Sequence, residues 1–434
     1  MQLYSTNNKA HLVSLKEAVF KGLPDDNGLY MPVKIPTLSG DFIENLAHYS
    51  FQEIAFQVAK NLLQNAIPDT DLRQIIEDAI TFPAPVVSLT EQTHILELFH
   101  GPSLAFKDFG ARFMAQLMRY FNQGEKKELV ILVATSGDTG GAVAAGFYQT
   151  PGIRVVILYP AGKVSFLQEK QLTTLGHNIT ALEINGTFDD CQALVKQAFL
   201  DKELTSKIRL SSANSINIAR LIPQSFYYFE AYKQIASKEH SVVFSVPSGN
   251  FGNLTAGLLA KRMGLPVHQF LAATNINDVV PKYLESGNYQ PHASFATLSN
   301  AMDVGNPSNF ARLLDLNSST WNIMQQDISG FAFTDEQTKQ VMRQVYKQFN
   351  YILDPHGAIG YLALQYYQKE NPNTIGIILE TAHPAKFLDD VEAILETKIE
   401  VPGRLAALAN SEKDAIEMTV DYLAFKNWLQ ENLI

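Results

Sequence analysis

Four short runs in this chain are nearly all apolar and rich in β-branched residues: LVILVA at 129–134, IRVVILY at 153–159, SVVFSV at 241–246 and TIGIILE at 374–380. A half-exposed strand alternates apolar and polar residues, so a run without a polar face has to be covered on both sides. Longer stretches of helical periodicity separate the runs, and that rhythm predicts parallel α/β sheets. Open sheets of this kind bind ligands beyond the carboxyl ends of their strands. Chemistry is therefore expected in the residues that directly follow each run.

The 434 residues allow two to four packed units at roughly 150 residues each, with interiors large enough for an enzyme. FIENLAHYSFQEIAFQVAKNLLQNA repeats apolar residues at three and four spacing, so residues 1 to about 85 read as a helical N-terminal unit. FPAPVVSL at 82–89 then brings two prolines close together, which breaks helix and sets a boundary. A net charge of -10 with no dense Lys/Arg run excludes a sequence-independent grip on nucleic acid or anionic lipid. The single cysteine, Cys191, excludes an intrachain disulfide and a Cys-rich zinc site and suits a reducing compartment. The opening MQLYSTNNKAHLVS has no basic segment followed by an apolar core, and no apolar run approaches the roughly 20 residues of a membrane helix. A cytoplasmic protein is expected, bound neither to membrane nor to nucleic acid.

Three strand ends carry suggestive sequence. After LVILVA comes TSGDTGGAVAAGF, where Ser136, Gly137, Asp138, Thr139 and Gly140 expose backbone N–H groups at a helix N-terminus. Such a loop either caps its helix or holds a carboxylate or phosphate. After SVVFSV comes PSGNFGNLTAGLLA, in which Ser248, Gly249, Asn250, Phe251, Gly252 and Asn253 form a glycine-containing turn before a helix. It lacks a P-loop lysine and the dinucleotide spacing, so it is either a structural turn or a cradle for a small phosphate held by backbone dipoles. After TIGIILE comes TAHPAKF, where Thr381 can present a hydroxyl into the cleft and His383 reads as a structural histidine. No partner at metal-ligand spacing accompanies it, and no metal site is expected.

LFHGPSLAFKDFG, residues 98–110, sets Lys107 between Phe106 and Phe109 and before an acid. Either the lysine snorkels from a covered stem, or it is desolvated enough to free its amine for Schiff-base chemistry. A carbonyl cofactor bearing a phosphate needs one reactive amine and one phosphate cradle. Pyridoxal 5'-phosphate fits that pair.

Together the motifs resemble the threonine synthase family of pyridoxal phosphate enzymes, of the tryptophan synthase β-like fold (fold type II). The likeness lies in DNGLYMP (26–32), ELFHGPSLAFKDFGARFM (97–114), ATSGDTGGAV (134–143), SANSINIARL (212–221), SVPSGNFGNLTAGLLAK (245–261), TLSNAMDVGNPSNFAR (297–312) and TAHPAKF (381–387). The resemblance implies two parallel-sheet α/β lobes plus the N-terminal unit at 1–88. The larger lobe would comprise 89–110 and 226–434, and the smaller 111–225. It implies Lys107 as the Schiff-base lysine and proton shuttle, Ser248 and Gly249 to Asn253 around the cofactor phosphate, and Thr381 facing the pyridine nitrogen. Ser136, Gly137 and Thr139 would receive the substrate carboxylate, with Asp138 near the cofactor's ring oxygen. The implied reaction is that of a carbon–oxygen lyase, turning O-phospho-L-homoserine and water into L-threonine and phosphate. Lys163, Asn214 and Arg220, from motif segments with isolated cations, are expected at the substrate phosphate. Gly357 stands where much of the family has threonine. A dehydratase of the same fold and a non-catalytic phospho-ligand binder remain as alternatives, and monomer or homodimer stays open.

Overall fold

Each of the four apolar runs is a strand, and every residue of Thr374–Glu380 is buried, as a strand covered on both faces requires. The computed structural model describes residues 1–235 and 240–433. Near the N-terminus β1 (Gln2–Ser5) pairs antiparallel with β2 (Asn8–Ser14) and with β3 (Tyr30–Pro32). The helices Phe51–Leu63 and Asp69–Ala79 follow, the first capped by a reciprocal Ser50–Glu53 box. The three-stranded sheet is the part of this unit that periodicity does not reveal. β2 buries only Val13 of its seven residues, so no apolar alternation marks it.

Strands β4 (Val86–Ser88) and β5 (Thr93–Glu97) open the larger sheet. The smaller one contains β6 (Leu129–Ala134), β7 (Ile153–Pro160), β8 (Ile179–Ile184) and β9 (Arg209–Ser212). β10 (Ser241–Pro247), β11 (Gln269–Thr274), β12 (Ile328–Ala332) and β13 (Thr374–Glu380) return to the larger sheet, and β14 (Ile416–Met418) to the smaller. The orders are β12-β11-β10-β13-β5-β4, parallel except for β4, and β14-β8-β7-β6-β9, parallel throughout. This is the two-lobed parallel α/β architecture that the sequence predicts.

The lobe boundaries need two corrections. Strand β14 pairs with β8, and the helix Tyr422–Leu433 buries Phe425 and Leu429 in one cluster with Cys191 and Leu194, so the span 226–434 runs past the point where the chain crosses back to the smaller lobe. The 110/111 boundary falls inside the helix Lys107–Phe121, a single rigid element leading from one lobe to the other. No helix among the described residues is long and apolar enough to cross a membrane.

Phe109, two residues beyond Lys107, is fully buried against Phe51, Phe82 and Tyr227 at ring distances of 5.9, 4.7 and 5.4 Å. It locks the lysine-bearing helix to the N-terminal helices. Phe109→Ala is expected to lower unfolding free energy by about 3–5 kcal/mol, read from the denaturant midpoint, whereas a loss under about 1 kcal/mol would mean that the ring is not a keystone.

Candidate active site

A cavity of about 160 Å³ opens beside the carboxyl ends of β10 and β13. From the sequence-predicted set it gathers Lys107, Thr139, Arg220, Gly249, Asn250, Phe251, Gly252, Asn253 and Thr381. Asp138 stands beside it, with Oδ2 4.0 Å from Lys107 Nζ. Ser136, Gly137, Lys163, Asn214 and Ser248 do not reach the lining. Ser136, Lys163 and Asn214 are exposed. Lys163, in the turn after β7, is thus set apart from the other residues expected at the substrate phosphate, and Ser215 rather than Asn214 faces the cavity. Ser248 spends both its polar groups on the fold: its N–H donates to Ala273 O at 3.0 Å and its hydroxyl to Asn253 Oδ1 at 2.9 Å.

The 248–253 turn is shaped by its own side chains. Asn253 Nδ2 donates to Pro247 O at 2.8 Å, and Asn250 Nδ2 to Ser215 Oγ at 3.1 Å. Phe251 takes a left-handed φ of 58°, a strained choice for a non-glycine residue, and the helix Gly252–Arg262 starts directly after it. Leu254 N–H donates to Asn253 Oδ1 at 2.9 Å, and the amides before it have no carbonyl one turn back, which makes this end of the helix a natural anion site. At Gly249 a Cβ would lie 2.7 Å from Met302 Cα, so only glycine lets the loop meet the 300–302 turn.

The 135–140 loop is held by Thr135, whose Oγ1 accepts from Gly137 N at 3.0 Å and Gly140 N at 2.9 Å. That positions Asp138, which accepts from Gln168 Nε2 at 2.8 Å and pairs with Lys386 Nζ at 2.8 Å. Lys386 also donates to Ser103 O at 2.7 Å and Gln171 Oε1 at 3.2 Å, so its three protons are all engaged. Burial alone would raise the Asp138 carboxyl, but the ammonium groups of Lys386 and Lys107, with the hydrogen bonds from Lys386 and Gln168, hold it well below the usual carboxylate range. Burial lowers the pKa of Lys107; Asp138 opposes that shift, and Lys386 and Arg220 add to it. Burial likewise brings the Arg220 guanidinium down to about 10.

Sequence reasoning missed Phe106, Ser215, Gln224, Met302 and His356 in the lining, and Lys386 behind it. Most of them lie in or beside the motif segments, but nothing in spacing told which side chain turns inward. Among the described residues no group of three or more His, Cys, Asp or Glu side chains could hold a metal ion.

Comparison with known proteins adds the family. Residues 83–380 match the family "Pyridoxal-phosphate dependent enzyme", residues 2–80 "Threonine synthase N terminus" and residues 357–428 "Threonine synthase, C-terminal". The chain is 48% identical over 411 residues to threonine synthase from Serratia marcescens, covering 94% of each sequence. The crystal structure of threonine synthase from Escherichia coli is 45% identical with a TM-score of 0.91, covering 99% of this chain and 100% of that one. That of PLP-bound threonine synthase from Brucella melitensis is 34% identical with a TM-score of 0.95, covering 100% and 99%. The chain belongs to the threonine synthase family. It is a lyase of threonine biosynthesis, and its cofactor is pyridoxal phosphate.

The residues present fit that cofactor. Arg220 Nε, Gln224 Oε1 and His356 Nε2 are buried without a hydrogen-bond partner, and all three residues line the cavity. Buried polar atoms left unpaired in this way are what a polar ligand would satisfy. Lys107, residues 249–253 and Thr381 line the same cavity, so an amine, backbone amides and a hydroxyl stand beside these unpaired atoms.

Lys386→Met strands the Asp138 carboxylate beside a lysine 4.0 Å away and should cost about 3–5 kcal/mol at neutral pH, with much of it regained in Lys386→Met/Asp138→Leu. Because the folded pKa of Asp138 is depressed, its contribution is present above the unfolded carboxylate value of about 4 and is lost as pH falls toward the folded one. Denaturant melts of wild type and Lys386→Met should therefore converge in acid. Equal spacing at pH 7 and pH 3 would contradict the ion-pair account.

Proposed function

We propose that the enzyme converts O-phospho-L-homoserine and water to L-threonine and phosphate, with Lys107 as the cofactor-bearing and proton-moving amine. What carries the reading is the meeting, in one cavity, of Lys107, the 249–253 amides and the unpartnered Nε of Arg220. Bound pyridoxal phosphate supplies an electron sink that acidifies the substrate's Cα proton. Burial and the charges of Lys386 and Arg220 let Lys107 give up its own proton, so that its amine can take the one from Cα. Asp138 keeps that lowering within bounds and, with the cofactor bound, would stand near its ring oxygen. The amides of Gly249 to Asn253 would hold the cofactor phosphate, and Thr381 would offer its hydroxyl to the ring nitrogen. A hydroxyl at that place would leave the ring nitrogen largely unprotonated. The 136–139 loop, through Thr139, receives the substrate's α-carboxylate.

Departure of phosphate from Cγ needs a cation to meet the growing charge. Arg220 is the guanidinium of the cavity wall: Nη1 donates to Ala213 O at 2.7 Å, and Nε makes no bond where it lies against Gly110. Support for it over Lys163 is that it lines the cavity.

Borohydride reduction of the holoenzyme followed by peptide mapping should find the pyridoxyl group on Lys107. The same enzyme should release phosphate and threonine from O-phosphohomoserine and no keto acid from serine; an adduct elsewhere, or keto acid from serine as the main product, refutes the proposal. Arg220→Ala should lower kcat/KM for the phosphorylated substrate by about 100-fold or more, since it removes one partner of a buried charge pair. An unchanged value removes Arg220 from the substrate site.

A further inference from the structure

The helix Pro355–Glu370 starts at the cap residue Asp354, whose Oδ1 accepts from His356 N at 2.7 Å and faces His356 Nδ1 at 2.5 Å. His356 is only 3% exposed, lines the same cavity as Lys107 and Thr381, and packs against Phe387 with ring centroids 5.1 Å apart and planes tilted by 51°. Its Nε2 is buried and makes no hydrogen bond. A carboxylate fixed on Nδ1 settles ring orientation and tautomer and leaves Nε2 for something else. An unpaired buried ring nitrogen is costly in the empty protein, and it is explained if a ligand completes it.

The surroundings show why this dyad can sit deep in the protein. From β13, Glu380 Oε1 accepts the N–H of Asp354 at 2.6 Å. Burial, then the nearby Asp354, push the Glu380 carboxyl well above its ordinary value, and Asp354 is the carboxyl in contact with the imidazole. Behind them Tyr351 donates to Glu97 Oε1 at 2.8 Å. Asp303, after the 300–302 turn, is an electrostatic neighbour of His356, and Lys107 and Arg220 are the cations that share the cavity with it. Gly357 belongs to the same arrangement: a Cβ there would run into Glu380 Oε2, so the absence of a side chain is what admits the acid.

We propose that His356, oriented by Asp354, is a second catalytic residue of this site, its Nε2 hydrogen-bonding the bound cofactor on the side of Thr381. The inference rests on the assignment of Lys107 as the cofactor-bearing amine. Borohydride mapping of wild type tests that assignment by itself.

Two substitutions separate a cavity role from a merely structural one. The amide of His356→Asn can keep the bond to Asp354 from the place of Nδ1 but ends short of the cavity, whereas the longer His356→Gln places its amide near the place of Nε2. Both holoenzymes should form and melt close to wild type. His356→Asn should move the pH midpoint of the cofactor's visible absorbance by about one unit and lower kcat by about 100-fold. His356→Gln should keep the wild-type midpoint and recover part of kcat. The proposal is overturned if His356→Asn retains the wild-type absorbance, midpoint and kcat, or if both variants lose activity in parallel with a lowered melting temperature and an unmoved midpoint.

Discussion

A carboxylate shared by two ammonium groups fixes the geometry on which the rest of the site depends. Asp138 starts a helix of the smaller lobe, Lys386 follows the last strand of the larger sheet, and Lys107 begins the helix that runs between lobes. Removing an ion pair from water is repaid only when the charges meet at hydrogen-bond distance and the remaining protons find partners. Lys386 meets both conditions, with Asp138 at 2.8 Å and carbonyl oxygens for its other protons. Lys107 meets neither: its distance to Asp138 is 4.0 Å, and 19% of its side chain remains open. Of the two lysines on one carboxylate, the buried Lys386 is therefore anchored and the partly open Lys107 is available. Burial and the ammonium of the first lower the pKa of the second, while the shared carboxylate opposes that shift.

Around this charge cluster, rigidity is built from short-range geometry. The 248–253 turn uses its asparagine and serine side chains to brace its own backbone, and Thr135 does the same for the 135–140 loop. Side chains and backbone braced in this way keep residues 249–253 and Thr139 at the wall of the cavity, and a fixed helix end is the condition for binding an anion without a lysine in the loop. The strained φ of Phe251 fits this logic, because its ring is buried and the conformation is enforced by packing.

The fold was legible where burial is two-sided. Continuous apolar runs identified β6, β7, β10 and β13, and the residues after three of them proved to frame the cavity or its charge cluster. Strands with little burial left no such trace: β2 has a single buried residue, and β14 has none. At the site, motif position located the loops, but side-chain orientation left no mark in the sequence. Phe106 and Phe109 look equivalent beside Lys107, yet the first lines the cavity and the second turns into the N-terminal core. Lys386, three residues beyond His383, was equally invisible, because only tertiary packing sets it against Asp138.

Gly357 shows how a missing side chain can be absorbed without loosening a site. Removing a side chain from the first turn of a buried helix would ordinarily leave a void, and voids cost stability in proportion to their volume. Here Glu380 fills the space and, through Oε1, takes up the N–H of the cap residue Asp354. The filler is an acid, and burial together with the nearby Asp354 pushes its pKa up, which favours the form that tolerates a buried place. Small residue and large neighbour thus act as one unit, and what they hold in place is the Asp354 carboxyl that orients His356 at the cavity.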